Sequence, residues 1–321
     1  MKTRSLTEGA MLTTLMVGLT YLSLYSVFVS MLIPVPLILL VIRHGLRTGV
    51  LVSVVSALVS SLVFSSPLMA INLLITGLLG IALGIGLREG FGFIHLLLIG
   101  VGTSLVTFAL RVFSYSILFG DNLLAMGLEA METSINQTVY MYQSLGFAPE
   151  VIEQMEEMTV VMAEAVRLLL PLGILLTAVI QTYANLFFVR LLVKRIPSMT
   201  LTVPWIPPFV QWRWPWYAVW GFILVRLLSI VPAFIAVPEE FWAALILNLD
   251  LFFVYLFLLQ GLAIVWFFLD KHNVSKVLRV VMIIFLLLPG GPVTLILALG
   301  GMLDTWFDFR KLNRKNEVTE G

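Results

Sequence analysis

Residues 48–87 read TGVLVSVVSALVSSLVFSSPLMAINLLITGLLGIALGIGL, a run of 40 residues without one charged side chain. A membrane-spanning helix needs about 20 predominantly apolar residues, because each adds about 1.5 Å across a hydrocarbon layer about 30 Å thick. This run is twice that length, and Ser65, Ser66 and Pro67 interrupt its middle. It predicts two antiparallel passes joined by a tight turn.

The same ruler divides the rest of the chain. Residues 10–31 make a first pass and 34–42 a second, shorter one, with Pro34 and Pro36 marking the turn between them. Residues 91–119 make a fifth, 164–189 a sixth, 215–237 a seventh and 241–268 an eighth. Residues 280–303 are uncharged but broken by Pro289, Gly290, Gly291 and Pro292, so they form either one broken span or, the preferred reading, a hairpin.

Composition agrees with a lipid solvent. Of 321 residues, 60% are hydrophobic and only 12% charged, against about 25% charged in a soluble domain. The fold class expected is all-α, a polytopic transmembrane helical bundle. It comprises a six-pass half over residues 1–195, a Pro- and Trp-rich loop over 196–214, further helices over 215–310 and a basic tail over 311–321. Residues 1–4 carry positive charge before an apolar run, but the uncharged stretch 9–42 is far longer than the core of a secretory signal. A retained first helix is expected.

Charge placement gives an orientation, since Lys and Arg collect in short cytoplasmic loops. With the N-terminus inside, Arg43 and Arg47, then Arg88, then Arg190, Lys194, Arg195 and Arg213, then Lys271 and Lys276 all fall inside. The tail residues Arg310, Lys311, Arg314 and Lys315 join them if the last segment returns. Sixteen of the 19 basic residues then share one side, the exceptions being Arg111, Arg167 and Arg226. The expected location is the cell membrane, with both termini cytoplasmic.

Between Arg111 and Arg167 no Lys or Arg occurs, whereas Asp121, Glu129, Glu132, Glu150, Glu153, Glu156, Glu157 and Glu164 do. This stretch belongs outside. Its pattern fits two amphipathic surface helices over about 120–160, either a lid or a connector on the outer leaflet. Trp205, Trp212, Trp214 and Trp216 are expected at the headgroup level of the cytoplasmic leaflet, where an indole keeps its ring apolar and its N–H wet.

Charges at membrane depth are the first candidates for function. Arg226 and Asp250 lie at matching depths on adjacent passes; they form either a buried pair that fixes packing or a pair that binds a ligand or moves a proton. Arg111 has no acidic neighbour within a helical turn and could line an outer cavity. Glu164 and Arg167 are spaced for a local pair. Ala10, Thr14 and Gly18, Gly45 and Gly49, and Gly80 and Gly84 repeat small residues at a spacing that permits close helix contact.

Other chemistry is excluded or unsupported. Cysteine is absent, so disulfides and thiolate ligands are impossible. No phosphate-cradling loop, metal-spaced cluster or nucleophile elbow appears, so neither an enzyme nor a cofactor is expected. A net charge of +1 offers nothing to a nucleic acid. The expected partners are membrane lipid, a small-molecule ligand and transporter subunits, since any ATP-driven step would need another chain.

The segment from Pro34-Val-Pro-Leu-Ile-Leu-Leu to Arg43-His-Gly-Leu-Arg-Thr-Gly49, with the small-residue run after it, resembles the opening helices of the substrate-binding S components of energy-coupling-factor transporters. The whole chain, including the ending Leu303-Asp-Thr-Trp-Phe-Asp-Phe-Arg-Lys311, resembles the YybS-like family of bacterial integral membrane proteins. The first resemblance implies an outward-facing pocket and a first helix that docks on the transmembrane partner of an ATPase module. Ala10, Thr14 and Gly18 keep the small-residue spacing of that docking face, with Thr and Gly where the family has Ala.

Overall fold

The structure, a computed structural model, describes residues 3–196, 201–235, 238–287 and 291–311. Helices account for the regular structure, with no strand among the described residues. In chain order they are α1 (Thr3–Ser23), α2 (Val27–Ser30), α3 (Pro34–His44), α4 (Leu46–Phe64), α5 (Pro67–Arg88) and α6 (Phe93–Phe119). There follow α7 (Leu123–Ser144), α8 (Pro149–Val193), α9 (Tyr217–Leu228), α10 (Glu239–Lys271), α11 (Lys276–Leu287) and α12 (Gly291–Phe307). Among the described residues, six helical stretches are long and apolar enough to cross a membrane: Val27–His44, α4, α5, α6, α8 and Glu240–Lys271.

Residues 48–87 form α4 and α5, split where expected. Ser65 adopts a left-handed conformation (φ 49) after α4, and Pro67 occupies the first turn of α5, where its missing N–H costs nothing.

Three boundaries differ from expectation. The first reversal lies at residues 24–26 rather than at Pro34, and Val27–His44 makes one span containing α2 and α3. Pro34 only splits that span: it lacks an N–H, and its ring collides with the carbonyl of Ser30, where α2 stops. The seventh pass is short. Helix α9 has 12 residues, about 18 Å, and ends at Leu228 because Pro232 cannot pair with that residue's carbonyl. The second surface helix and the sixth pass are a single helix, since nothing between Pro149 and Val193 breaks the pattern except Pro171. Its 45 residues span about 68 Å, over twice the hydrocarbon thickness.

Helices α11 and α12 are bent by 116° from each other, so 280–303 is not one straight span. Pro289 and Gly290 lie outside the described residues, as do Met1, Lys2, Val237, Arg314 and Lys315.

The chain forms two compact units, Met1–Arg167 with Gly173–Trp205, and Leu168–Leu172 with Ile206–Gly321. In the first, α3 is the central helix. Its Val35 and Ile38 pack with Leu79, Leu83 and Leu87 of α5, Leu96 of α6 and Leu186 and Val189 of α8. Its other face, with Leu37 and Leu40, meets Met16 of α1, Val52 of α4 and Leu73 of α5. Because lipid is as apolar as leucine, close packing rather than water expulsion holds such helices together. Gly80 and Gly84 permit it: a Cβ on Gly84 would lie 2.6 Å from Val41 Cβ and 3.2 Å from the Ile38 carbonyl oxygen. These small residues serve internal contact.

In the second unit α10 is central. Phe257, Leu258 and Leu262 pack with Val219 of α9 and Ala298 of α12. A Cβ on Gly261 would strike the Leu297 carbonyl, and one on Gly301 would strike that of Phe257, so α10 and α12 cross backbone to backbone. Asn248 of α10 serves the Pro171 break in the segment Leu168–Leu172. Its amide donates to the Leu168 carbonyl (2.7 Å) and its Oδ1 accepts from the Leu172 N–H (2.9 Å), standing in for one lost turn of helix.

Candidate functional site

Two ion pairs in the second unit have opposite surroundings. At the end of α12, Asp304 and Arg310 have side chains with no exposed surface, 2.7 Å apart. Arg310 donates through Nε and Nη2 to Asp304 Oδ2, through Nη1 to the Val210 carbonyl (2.6 Å) and through Nη2 to that of Trp212 (2.7 Å). Gln260 of α10 donates to the same Asp304 oxygen (3.1 Å) and accepts from the Trp214 N–H (2.9 Å). The burial of two charges is thus compensated by hydrogen bonds that fasten residues 210–214 to the bundle. Arg310 therefore does not belong to a solvated tail.

The same network changes the reading of the tryptophans. Trp214 donates its ring N–H to the Leu256 carbonyl (2.7 Å) and Trp212 to that of Pro207 (2.9 Å). In the first unit Trp205 lies among Phe93, Tyr183 and Phe187, with the Arg190 guanidinium 4.6 Å from its ring. These three are held by protein. Trp216 is exposed, beside exposed Tyr217 and Trp220.

The other pair is Arg226 with Asp250, which the structure brings together as the sequence suggested. Arg226 Nη2 lies 2.9 Å from Asp250 Oδ1 and 3.1 Å from Oδ2. Here the guanidinium side chain is 57% exposed and the carboxylate 20%. Both line a groove of about 430 Å³ with Ser229, Pro232, Trp242, Ala243, Ile246 and Leu247. The frame is well held: Trp242 donates to the last carbonyl of α9, Leu228 (3.1 Å), and Ser229 donates to the Arg226 carbonyl (2.7 Å). These bonds occupy carbonyls that a helix end otherwise leaves unpaired. The Arg226 guanidinium stacks on Phe222 at 5.2 Å, while its Nη1 and Nε have no hydrogen-bond partner among the described residues.

The remaining candidates lie in the first unit. Arg111 donates from Nη2 to Thr76 on α5 (2.7 Å), and its Nε is buried without a partner. Glu164 and Arg167 form no ion pair with each other among the described residues; both face a groove of about 470 Å³ shared with Leu128, Glu132 and Asn136 of α7. Ala10, Thr14 and Gly18 are all exposed on α1, while Gly9, Thr13, Met16, Val17 and Thr20 turn inward. No cluster of three or more His, Asp or Glu suited to a metal occurs among the described residues.

Sequence reasoning missed Asp304, Gln260 and Asn248, as well as Glu8, which holds Arg43 (2.9 Å) and His44 (2.8 Å) from α1. A signal existed for one of them: Asp304 is the sole acid in the otherwise uncharged residues 280–307.

Comparison with known proteins places the chain without assigning a reaction. The profile of a family described as "Predicted membrane protein (DUF2232)" matches residues 10–305. A Bacillus subtilis (strain 168) protein, described as "Uncharacterized protein YybS", is 25% identical over 293 residues, covering 88% of this chain and 90% of that one. No solved structure matches.

Proposed function

The chain belongs to the DUF2232 family of membrane proteins, and from that premise we propose that it is a transport-related small-molecule binding protein of the cell membrane, its site the Arg226–Asp250 groove. The observation that carries this reading is the contrast between the two ion pairs. A pair whose role is to fix packing is sealed from solvent and tied into its surroundings, as Asp304–Arg310 is through Gln260 and the Val210 and Trp212 carbonyls. The Arg226–Asp250 pair instead stands open in a groove with spare donors. Its volume falls within the range of about 300–1,000 Å³ common for small-molecule sites, and its apolar wall with a few convergent polar groups has their usual makeup.

The charge rule supports an outward-facing groove. If the N-terminus and the basic ends of α3, α5, α8 and α10 all lie in the cytoplasm, α1 and the segment from α9 to Phe234 must also cross. Helix α1 has the length, 21 residues or about 31 Å. The N-terminal end of α10, which carries Trp242 and Asp250, then faces outside. On this reading the protein performs no reaction itself. The exposed stripe of Ala10, Thr14 and Gly18 suits a transmembrane partner of an ATPase module, as the S-component resemblance implies.

Thermal-shift screening of the purified full chain against small molecules tests the proposal. A ligand at about 100 times its Kd stabilises by about 2.7 kcal/mol, a shift of several degrees. The expected result is such a shift in the natural protein and its loss in Arg226→Gln. A screen whose every hit acts equally on Arg226→Gln overturns the assignment of the groove. Co-purification of an ATPase subunit from cells, lost when Gly18→Leu is introduced, is expected if the transport partner is right; retention with Gly18→Leu contradicts that docking face.

A further inference from the structure

We infer that the ligand of the Arg226–Asp250 groove is a zwitterion, an ammonium and an acid group close together on an apolar body; this rests on the groove being the binding site. The argument begins from charge balance. The groove presents one cation and one anion in contact, Arg226 Nη2 lying 2.9 Å from Asp250 Oδ1. A simple anion that approaches Arg226 also meets the repulsion of Asp250, and a simple cation meets that of Arg226. Like charges so close oppose binding as strongly as the favourable partner promotes it. A ligand with both charges side by side satisfies both groups and leaves the existing pair in place, because its dipole lies antiparallel to that of the pair.

Three features of the site fit that arrangement. The Arg226 guanidinium keeps Nη1 and Nε without a hydrogen-bond partner among the described residues, so it has donors for an acid group beyond those engaged by Asp250. Asp250 keeps about a fifth of its side chain exposed while its Oδ1 is buried, so Oδ2 is the oxygen left to accept from an ammonium. Trp242, Ile246, Leu247 and Pro232 then supply an apolar wall for the rest of the molecule. The contact distance of the pair requires ligand charges separated by only one or two carbons. Free α-amino acids with apolar side chains have this chemistry, and so does the headgroup of phosphatidylethanolamine.

The test uses the full chain in nanodiscs of phosphatidylglycerol, which offers no ammonium. L-leucine and L-phenylalanine serve as free zwitterions, isovalerate as the anion alone and isoamylamine as the cation alone. A second set of discs replaces half of the lipid by phosphatidylethanolamine. Thermal unfolding is followed in the natural protein, Arg226→Gln and Asp250→Asn, and the melting of each variant without ligand establishes that it is folded. The inference expects stabilisation by an amino acid or by phosphatidylethanolamine, abolished in both variants, with isovalerate and isoamylamine at least tenfold weaker. The free amino acid acting alone identifies a soluble ligand, and phosphatidylethanolamine acting alone identifies a lipid one. If isovalerate or isoamylamine stabilises as well as leucine and does so only with the pair intact, the groove stands and the zwitterion inference falls. If none of these probes acts while the wider screen yields a ligand dependent on Arg226, the inference falls in the same way. If no compound in either experiment depends on the pair, both fall.

Discussion

Asp304–Arg310 and Arg226–Asp250 are chemically the same pair, and their surroundings give them different work. Removing one member of the sealed pair leaves an uncompensated buried charge, which costs about 3–5 kcal/mol. Removing Arg226, the exposed member of the other pair, costs less, about 1 kcal/mol, because Asp250 keeps part of its surface in the open groove. Arg310→Met is therefore expected to lower the melting temperature strongly or to abolish folded protein, whereas Arg226→Met leaves it nearly unchanged. Thermal unfolding of the two purified variants decides the point, and similar losses would remove the distinction on which the functional reading stands. At this scale the sequence showed half of the site. Arg226 and Asp250 stand out because each interrupts an apolar run, and their matching depths followed from helix rise alone. Arg310 looked like part of a basic tail. Nothing in its neighbours reveals that it turns back onto Asp304, Val210 and Trp212.

Among the elements, residues 48–87 were legible because length, hydropathy and a Ser-Ser-Pro break all agree. The boundaries that moved are those where two signals compete. Residues 149–193 contain a polar-to-apolar transition that resembles the end of one helix and the start of another, yet no residue there stops a helix, and the chain continues through Pro171 with Asn248 bridging the gap. Helix α9 stops at Leu228 although hydropathy persists beyond it, because Pro232 cannot donate to the Leu228 carbonyl and the chain continues only as a short 3-10 turn over Val231–Ala233. The crossing of α10 and α12 supplies a prediction at this scale. Gly301→Ala places a methyl group against the Phe257 carbonyl, and overpacking of this kind costs about 1–3 kcal/mol. A fall in melting temperature is expected for Gly301→Ala, with no change for Gly300→Ala, whose Cβ would have nothing within 4 Å. Equal behaviour of the two variants would argue against the close crossing.

For the molecule as a whole, the absence of cysteine makes topology directly measurable, since any introduced thiol is the only one present. Gln143→Cys, near the end of α7, is expected to react with a membrane-impermeant maleimide from outside intact cells. Ser275→Cys, between α10 and α11, is expected to react only after permeabilisation, and the reverse pattern would invert the charge-derived map. The central claim joins that map to the groove. It is tested most directly by Ser229→Cys, which puts a single thiol on the groove wall beside Arg226. The account predicts labelling from outside intact cells, slowed at least tenfold by the ligand that stabilises the natural protein. Labelling only from the cytoplasmic side, or labelling from outside that this ligand leaves unchanged, would contradict it.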